Sequence, residues 1–189
     1  MIVLASQSPR RAALLNQVGI EFLAAPADVD ETVHADERAA DYVERVALAK
    51  ARAARATHPE IPALAADTAV VLDQTIFGKP VDQADGVRML LALSGRTHDV
   101  LTGVALVADQ VDYRLSLSRV RFRTLSEQEA NAYWATGEPA DKAGAYAVQG
   151  LAAAFIEHIE GSYSGIMGLP LFETLQLLNQ AGVHSRYGV

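Results

Sequence analysis

Apolar positions along the chain fall into two interleaved rhythms: short unbroken runs, and runs with the spacing of an amphipathic helix. Ile2 to Ala5 is an unbroken run and predicts a strand. Leu14, Leu15 and Val18 then share one side of a helix that Gly19 can close. Ser8 is a good N-cap for that helix, and Pro9 suits its first position, where a missing N–H costs nothing. Glu21 to Ala25 predicts a second strand, followed by an acidic, helix-poor stretch from Pro26 to Asp36. Ala39 to Ala56 is alanine-rich, with Tyr42, Val43, Val46 and Ala49 or Lys50 on one face, and predicts a long helix.

Ile61 to Leu72 predicts a strand with Asp67 near its middle or at a bend, and Ile76 and Phe77 a short return strand ended by Gly78-Lys79-Pro80. Asp85 to Leu93 predicts a helix stopped at Ser94-Gly95. Asp99 to Ala108 and Tyr113 to Phe122 are long β runs, expected to pair antiparallel across Asp109-Gln110. Ser126 to Glu129 fits a capping box before a helix to Thr136, and Asp141 to Gly150 is loop-like. Phe155 to Ile159 predicts a strand and Leu171 to Ala181 a final helix ended by Gly182. Strands and helices mix without strict βαβ alternation, so the expected fold is α/β, a mixed sheet with flanking helices.

Two features break these patterns. Arg10 and Arg11 fall in the first turn of the first helix, beside unpaired backbone N–H groups and the positive end of the dipole. Either both point into water, or an anion repairs the conflict, since free N–H groups and two guanidinium forks make a phosphate seat. Asp67 sits inside an apolar run, where an ionised carboxylate carries a desolvation cost and must be paired, hydrogen-bonded, metal-bound or placed at a cleft edge. It either bonds nearby backbone at a strand end or acts as a general base or metal ligand.

At 189 residues the chain fits one domain, 1–189, with two lobes around a cleft. There is no cysteine, which excludes disulfides, thiol catalysis and cysteine-ligated metal. No charged and apolar leader precedes the first strand and no apolar run approaches membrane-spanning length, so a soluble, cytoplasmic protein without a membrane partner is expected. The formal net charge of -7 argues against binding nucleic-acid polymers, yet leaves room for a small anion in a local basic pocket.

Lysine occurs only at Lys50, Lys79 and Lys142, each in a special context. Lys50 either snorkels from an apolar helical face or reaches into a cleft. Lys79 lies in a tight turn that suits either a fixed cation facing a ligand or plain surface, and Lys142 beside Asp141 could be an exposed pair of little weight. Asp28, Asp30 and Glu31 are either solvated or able to hold a hard divalent ion. Gln149-Gly150 offers an amide in a loop, enough to read a base edge. His34, His58, His98, His158 and His184 lack metal-ligand spacing, and neither a P-loop nor a dinucleotide fingerprint is present.

Taken in order, Ser6-Gln7-Ser8-Pro9-Arg10-Arg11, Asp28-Val29-Asp30-Glu31-Thr32, Ala47-Leu48-Ala49-Lys50-Ala51, Ala66-Asp67-Thr68, Phe77-Gly78-Lys79-Pro80 and Leu93-Ser94-Gly95 resemble successive motifs of the Maf family of nucleoside triphosphate pyrophosphatases. Asp141 to Tyr146, Gly161-Ser162-Tyr163 and Gly168-Leu169-Pro170 continue the match over nearly the whole length. The resemblance implies a Maf/ITPase-like fold and hydrolysis of the α–β phosphoanhydride bond of a nucleotide. Asp67 matches the family's proton acceptor. Ser8, Arg10, Arg11, Lys50, Lys79 and Lys142 match phosphate-side or cleft residues, and Glu31 a metal-side carboxylate acting with Asp67 on Mg²⁺ or Mn²⁺. A homodimer is implied by the family alone.

One branch of the family, which favours 7-methyl-GTP, has tryptophan, glutamine and glutamate where this chain has Arg10, Thr68 and Gln149. The pattern here resembles the branch that hydrolyses dTTP, UTP and modified pyrimidine relatives, with Thr68 and Gln149 near the base. The 7-methyl-GTP branch, and a nucleotide-binding regulator of septum formation with little hydrolysis, are the alternatives.

Overall fold

The computed structural model describes residues 1–188. Seven strands form one mixed sheet in the order β2 (Phe22–Ala24), β1 (Ile2–Leu4), β3 (Ala63–Leu72), β5 (Thr97–Val107), β6 (Val111–Phe122) and β7 (Ile156–Glu160), with β4 (Thr75–Phe77) also paired to β3. β1 (Ile2–Leu4) lies parallel to both β2 (Phe22–Ala24) and β3 (Ala63–Leu72), the connections being α1 (Pro9–Gln17) and α2 (Ala39–Thr57). From β3 onward every pairing is antiparallel. β5 (Thr97–Val107) and β6 (Val111–Phe122) join across Asp109-Gln110, as the two long β runs predict. β3 turns into β4 (Thr75–Phe77) through Asp73 and Gln74, both at positive φ, the backbone of a type I′ hairpin.

Side chains of a strand alternate between the faces of a sheet. Ala63 and Ala65 on β3 and Ala105 on β5 pack against Ala47, Ala51 and Ala54 of α2, and the small side chains let the helix lie close. Gly103 marks the nearest approach, because a Cβ there would stand 2.8 Å from the Tyr113 Oη and 2.9 Å from the Val43 carbonyl oxygen. The opposite face buries Leu64, Ala66, Val104 and Leu106 under Leu14 and Leu15 of α1 and Leu177 and Leu178 of α6 (Leu171–Gln180). A separate core gathers Val70, Leu72 and Val100 with α3 (Gln83–Leu93), α4 (Glu127–Trp134), Phe122 and Phe155.

These two cores meet at a gap in the sheet. β1 pairs with β3 only at Ala63 and Leu64, and β4 only from Val70 to Leu72. Residues 65 to 69 of β3 therefore have β5 on one side and no strand on the other. The middle of β3 is an open edge.

Several expectations shift by a residue or two at element ends. β7 is Ile156–Glu160, and the residues before it, Leu151–Phe155, wind into a 3₁₀ turn. One helix was not predicted at all: α5 (Tyr163–Met167), five residues held by a Ser162 N-cap and a left-handed Gly168 C-cap. It is too short to show a helical period. His98, one of the five histidines without metal-ligand spacing, is a fully buried residue of β5, its Nε2 2.9 Å from the Tyr146 hydroxyl.

Candidate active site

The open stretch of β3 sends Asp67 toward α2 and Thr68 to the other face. On α2, Tyr42, Val43, Val46, Ala47, Lys50, Ala51 and Ala54 form the buried stripe, which places Lys50 rather than Ala49 against the sheet. The Lys50 ammonium stands 2.9 Å from the Asp67 Oδ1 and 2.9 Å from a Glu31 carboxylate oxygen. Both Lys50 and Asp67 are buried, whereas Glu31 is exposed. Tyr42 donates to the Glu31 carbonyl at 3.2 Å and so holds the acidic segment over the helix.

Asp67 pairs with Gly103 across the β3–β5 ladder, so the glycine that admits α2 lies beside the carboxylate that α2 supplies with a cation. The Gly103→Val substitution should cost on the order of 1–3 kcal/mol, the usual scale of overpacking, because the clash includes α2 backbone. Chemical denaturation checks it; unchanged stability would show that α2 has room to move.

Burial dominates the electrostatics of Asp67. Desolvation pushes its pKa above the ordinary aspartate value, with Lys50 and then Arg11 pulling the other way. Burial likewise lowers the pKa of the Arg11 guanidinium, partly offset by Asp67. A carboxyl group held this way is a better base than a solvated aspartate.

Arg11 does not point into water. Its Nε donates to the Gly168 carbonyl at 2.7 Å, and its terminal nitrogens reach the hydroxyls of Ser6 at 3.3 Å and Thr68 at 3.4 Å. Thr68 in turn lies 2.9 Å from the Thr102 hydroxyl, which donates to the Gly165 carbonyl at 2.8 Å. Arg10, half-buried, stands 3.6 Å from Asp141. Helix α1 has no acidic residue in its first turn, so its positive end is uncompensated by its own side chains.

Lys142 is not the exposed pair that its neighbour Asp141 suggested. Its side chain is 14% exposed, bonds Asp141, and donates to the Glu138 carbonyl at 3.0 Å. The Gly144 amide donates to the Gly78 carbonyl at 3.0 Å, which ties the Lys142 segment to the turn carrying Lys79. Ala145 has a φ of 59°, a region that glycine adopts freely and alanine does not; local strain of this kind clusters at ligand sites. Among the described residues, Lys79 and the Gln149 amide have no hydrogen-bond or ion-pair partner.

A cavity of about 900 Å³ opens over the gap in β3. Ser8, Arg10, Arg11, Glu31, Lys50, Asp67, Thr68, Lys79, Lys142 and Gln149 all line it, so the residues matched to phosphate-side, base-side, metal-side and proton-acceptor positions are brought to one place. The acidic trio is not kept together: Asp28 and Glu31 line the cavity, but the Asp30 carboxylate turns back to accept the Thr32 amide at 2.8 Å. Val70, Phe77, Val100, Tyr146, Val148 and Ile166 add an apolar wall.

Thr102 carries no sequence signal and reads as one more β-branched strand residue. Ser6 and Gly168 stand in quoted motifs but without a role of their own, and here Ser6 holds Arg11 by its hydroxyl and Gly168 by its carbonyl. Their roles arise only from tertiary contact.

An open-edged mixed sheet with one buried aspartate and five cations lining one cavity suits a small polyanionic ligand, and comparison with known proteins places the chain in a family. A family model described as Maf-like protein matches residues 1–181, and the chain belongs to that family. It is 56% identical over 186 residues to a dTTP/UTP pyrophosphatase of Hahella chejuensis, covering 96% of this chain and 92% of that protein. Proteins of the same name from Alkalilimnicola ehrlichii and Pasteurella multocida are 53% and 49% identical, each over 95% of this chain and over 92% and 95% of their own lengths. A solved nucleoside-triphosphatase / dITP/XTP pyrophosphatase from Mycobacterium abscessus aligns at a TM-score of 0.44 and 20% identity over 66% of this chain and 74% of its own, a likeness too slight to add to the assignment.

Proposed function

We propose that this chain hydrolyses dTTP and UTP, and modified pyrimidine relatives, to the nucleoside monophosphate and pyrophosphate, and so clears them from the nucleotide pool. The observation that carries the reading is the pairing of one buried carboxylate with a cavity of cations, two of which hold no fixed carboxylate partner at bonding distance: Lys79 is free and Arg11 bonds only neutral oxygens. A triphosphate brings the negative charge that such a cavity lacks.

In this reading Asp67 accepts a proton from water as the water oxygen attacks the α-phosphorus. The bond from that phosphorus to the bridging oxygen breaks, and pyrophosphate leaves with the electron pair. Arg10, Arg11, Lys50, Lys79 and Lys142 stabilise the charge spread over the phosphates as this happens. Ser8 and the tip of α1 supply further donors to the chain. Thr68 and Gln149 face the base or its surroundings, where a free amide can discriminate between edges.

Glu31 and Asp67 converge on one point, the Lys50 ammonium. No group of three acidic or histidine side chains that could hold a metal exists among the described residues. Two carboxylates beside a triphosphate cavity nevertheless suit Mg²⁺ or Mn²⁺, which complete their shells with water and phosphate oxygens. Such an ion, held by Glu31 and Asp67, would neutralise phosphate charge and orient the chain.

Attack at the α-phosphorus has a direct isotopic test. Turnover of dTTP in ¹⁸O-labelled water should place the label in dTMP and none in pyrophosphate. Label in pyrophosphate would move the attack to the β-phosphorus and overturn the assigned geometry.

The Arg10, Thr68, Gln149 set supports pyrimidine triphosphates over 7-methyl-GTP, because it departs at all three positions from the tryptophan, glutamine and glutamate of the 7-methyl-GTP branch. The retained Asp67–Lys50 pair favours hydrolysis over a purely nucleotide-binding role in septum formation.

A further inference from the structure

Gln149 hangs from a turn whose position is set from outside the cavity. The turn closes with the Gly150 amide donating to the Ala147 carbonyl at 3.0 Å. Tyr133 of α4, buried beneath it, accepts from the Ala147 amide at 3.1 Å and donates to a Glu138 carboxylate oxygen at 2.6 Å. The second Glu138 oxygen accepts from the Leu151 amide at 3.1 Å. Both ends of the turn are thus held by one Tyr133–Glu138 pair.

Gly150 is what permits this. A Cβ there would lie 2.3–2.4 Å from the Glu138 carboxylate atoms, so any larger residue would force the carboxylate off the turn. The Glu138 main chain has a second task, since its carbonyl accepts from Lys142. Neither Glu138 nor Tyr133 lines the cavity. These bonds also hold the Glu138 carboxyl below its ordinary pKa despite some desolvation, so it clamps the turn as an anion.

We infer that Glu138, with Tyr133, is a positioning residue for base selectivity: it fixes the turn that presents the Gln149 amide, and through its carbonyl it sets Lys142 in the same frame. The inference rests on the reading of the chain as a pyrimidine nucleotide pyrophosphatase, because selectivity needs a base to be read.

The test is steady-state kinetics of the full chain and its variants with dTTP, UTP, CTP and 7-methyl-GTP. Glu138→Ala should lower kcat/KM for dTTP and UTP about tenfold, mainly through KM, and narrow the margin over the other two nucleotides, the scale expected for one lost recognition contact. Gln149→Ala should do the same, and the double variant should be no worse than the poorer single variant, because both changes remove one function. Glu138→Gln keeps an acceptor oxygen and should recover part of the selectivity. It also guards against simple misfolding, which melting curves of each variant detect.

Unaltered selectivity in a folded Glu138→Ala protein, or losses that multiply in the double variant, overturn the inference while leaving the activity intact. A wild-type chain idle on dTTP and UTP overturns the activity and the inference together.

Discussion

Replacing Asp67 by asparagine should reduce dTTP and UTP turnover by at least ~100-fold, the usual loss when a positioned general base is removed. The substitution keeps size and shape, so the backbone of β3 and its pairing with β5 should survive. The pH profile sharpens the expectation. A general base must be ionised to act, so kcat/KM of the wild type should climb with pH along an acid limb that belongs to the Asp67 carboxyl. In Asp67→Asn that limb should vanish from whatever activity is left. Near-normal turnover by this variant would remove Asp67 from the base role.

Replacing Lys50 by methionine should destabilise the protein by ~3 kcal/mol, because it leaves a buried carboxylate without its cation. Glu31 is exposed and contributes little to that figure. The sign with pH follows from the shift. Lys50 lowers the Asp67 pKa, so its removal raises an already raised value further. A carboxyl group whose folded pKa exceeds its unfolded value favours the native state below the unfolded pKa and loses that benefit as pH rises through the folded one. Lys50→Met should therefore be nearest to wild-type stability in acid and furthest from it at alkaline pH, and its acid activity limb should move upward. Adding Asp67→Asn should return much of the lost stability, since no buried charge would then lack a partner. Denaturant titrations of both variants across pH measure this directly; a loss that does not vary with pH would mean that Lys50 contributes only its packing.

The strands and long helices were legible because their apolar spacing is strong. The β5–β6 hairpin pairs across the residues its pattern names, and the Ser126–Glu129 capping box forms as written. The conflicts were equally legible: two arginines at a helix start and an aspartate in an apolar run each lead into the cavity. What the chain does not display locally is how far a strand is paired. The open edge of β3 exists because β1 stops at Leu64 and β4 begins at Val70, which is a matter of long-range register. The choice between Ala49 and Lys50 stayed open for a similar reason, as both border the same helical stripe and only contact with Asp67 decides it. Thr102, Tyr133 and Glu138 look unremarkable in sequence because their chemistry lies in holding other residues.

Pyrophosphate release measured across a nucleotide panel decides whether one cavity cuts a pyrimidine nucleoside triphosphate between its first two phosphates. The purified chain with Mg²⁺ or Mn²⁺ should release pyrophosphate from dTTP and UTP in preference to CTP and 7-methyl-GTP, with dTMP and UMP as the other products. Release of orthophosphate instead, or a preference for 7-methyl-GTP, would contradict it.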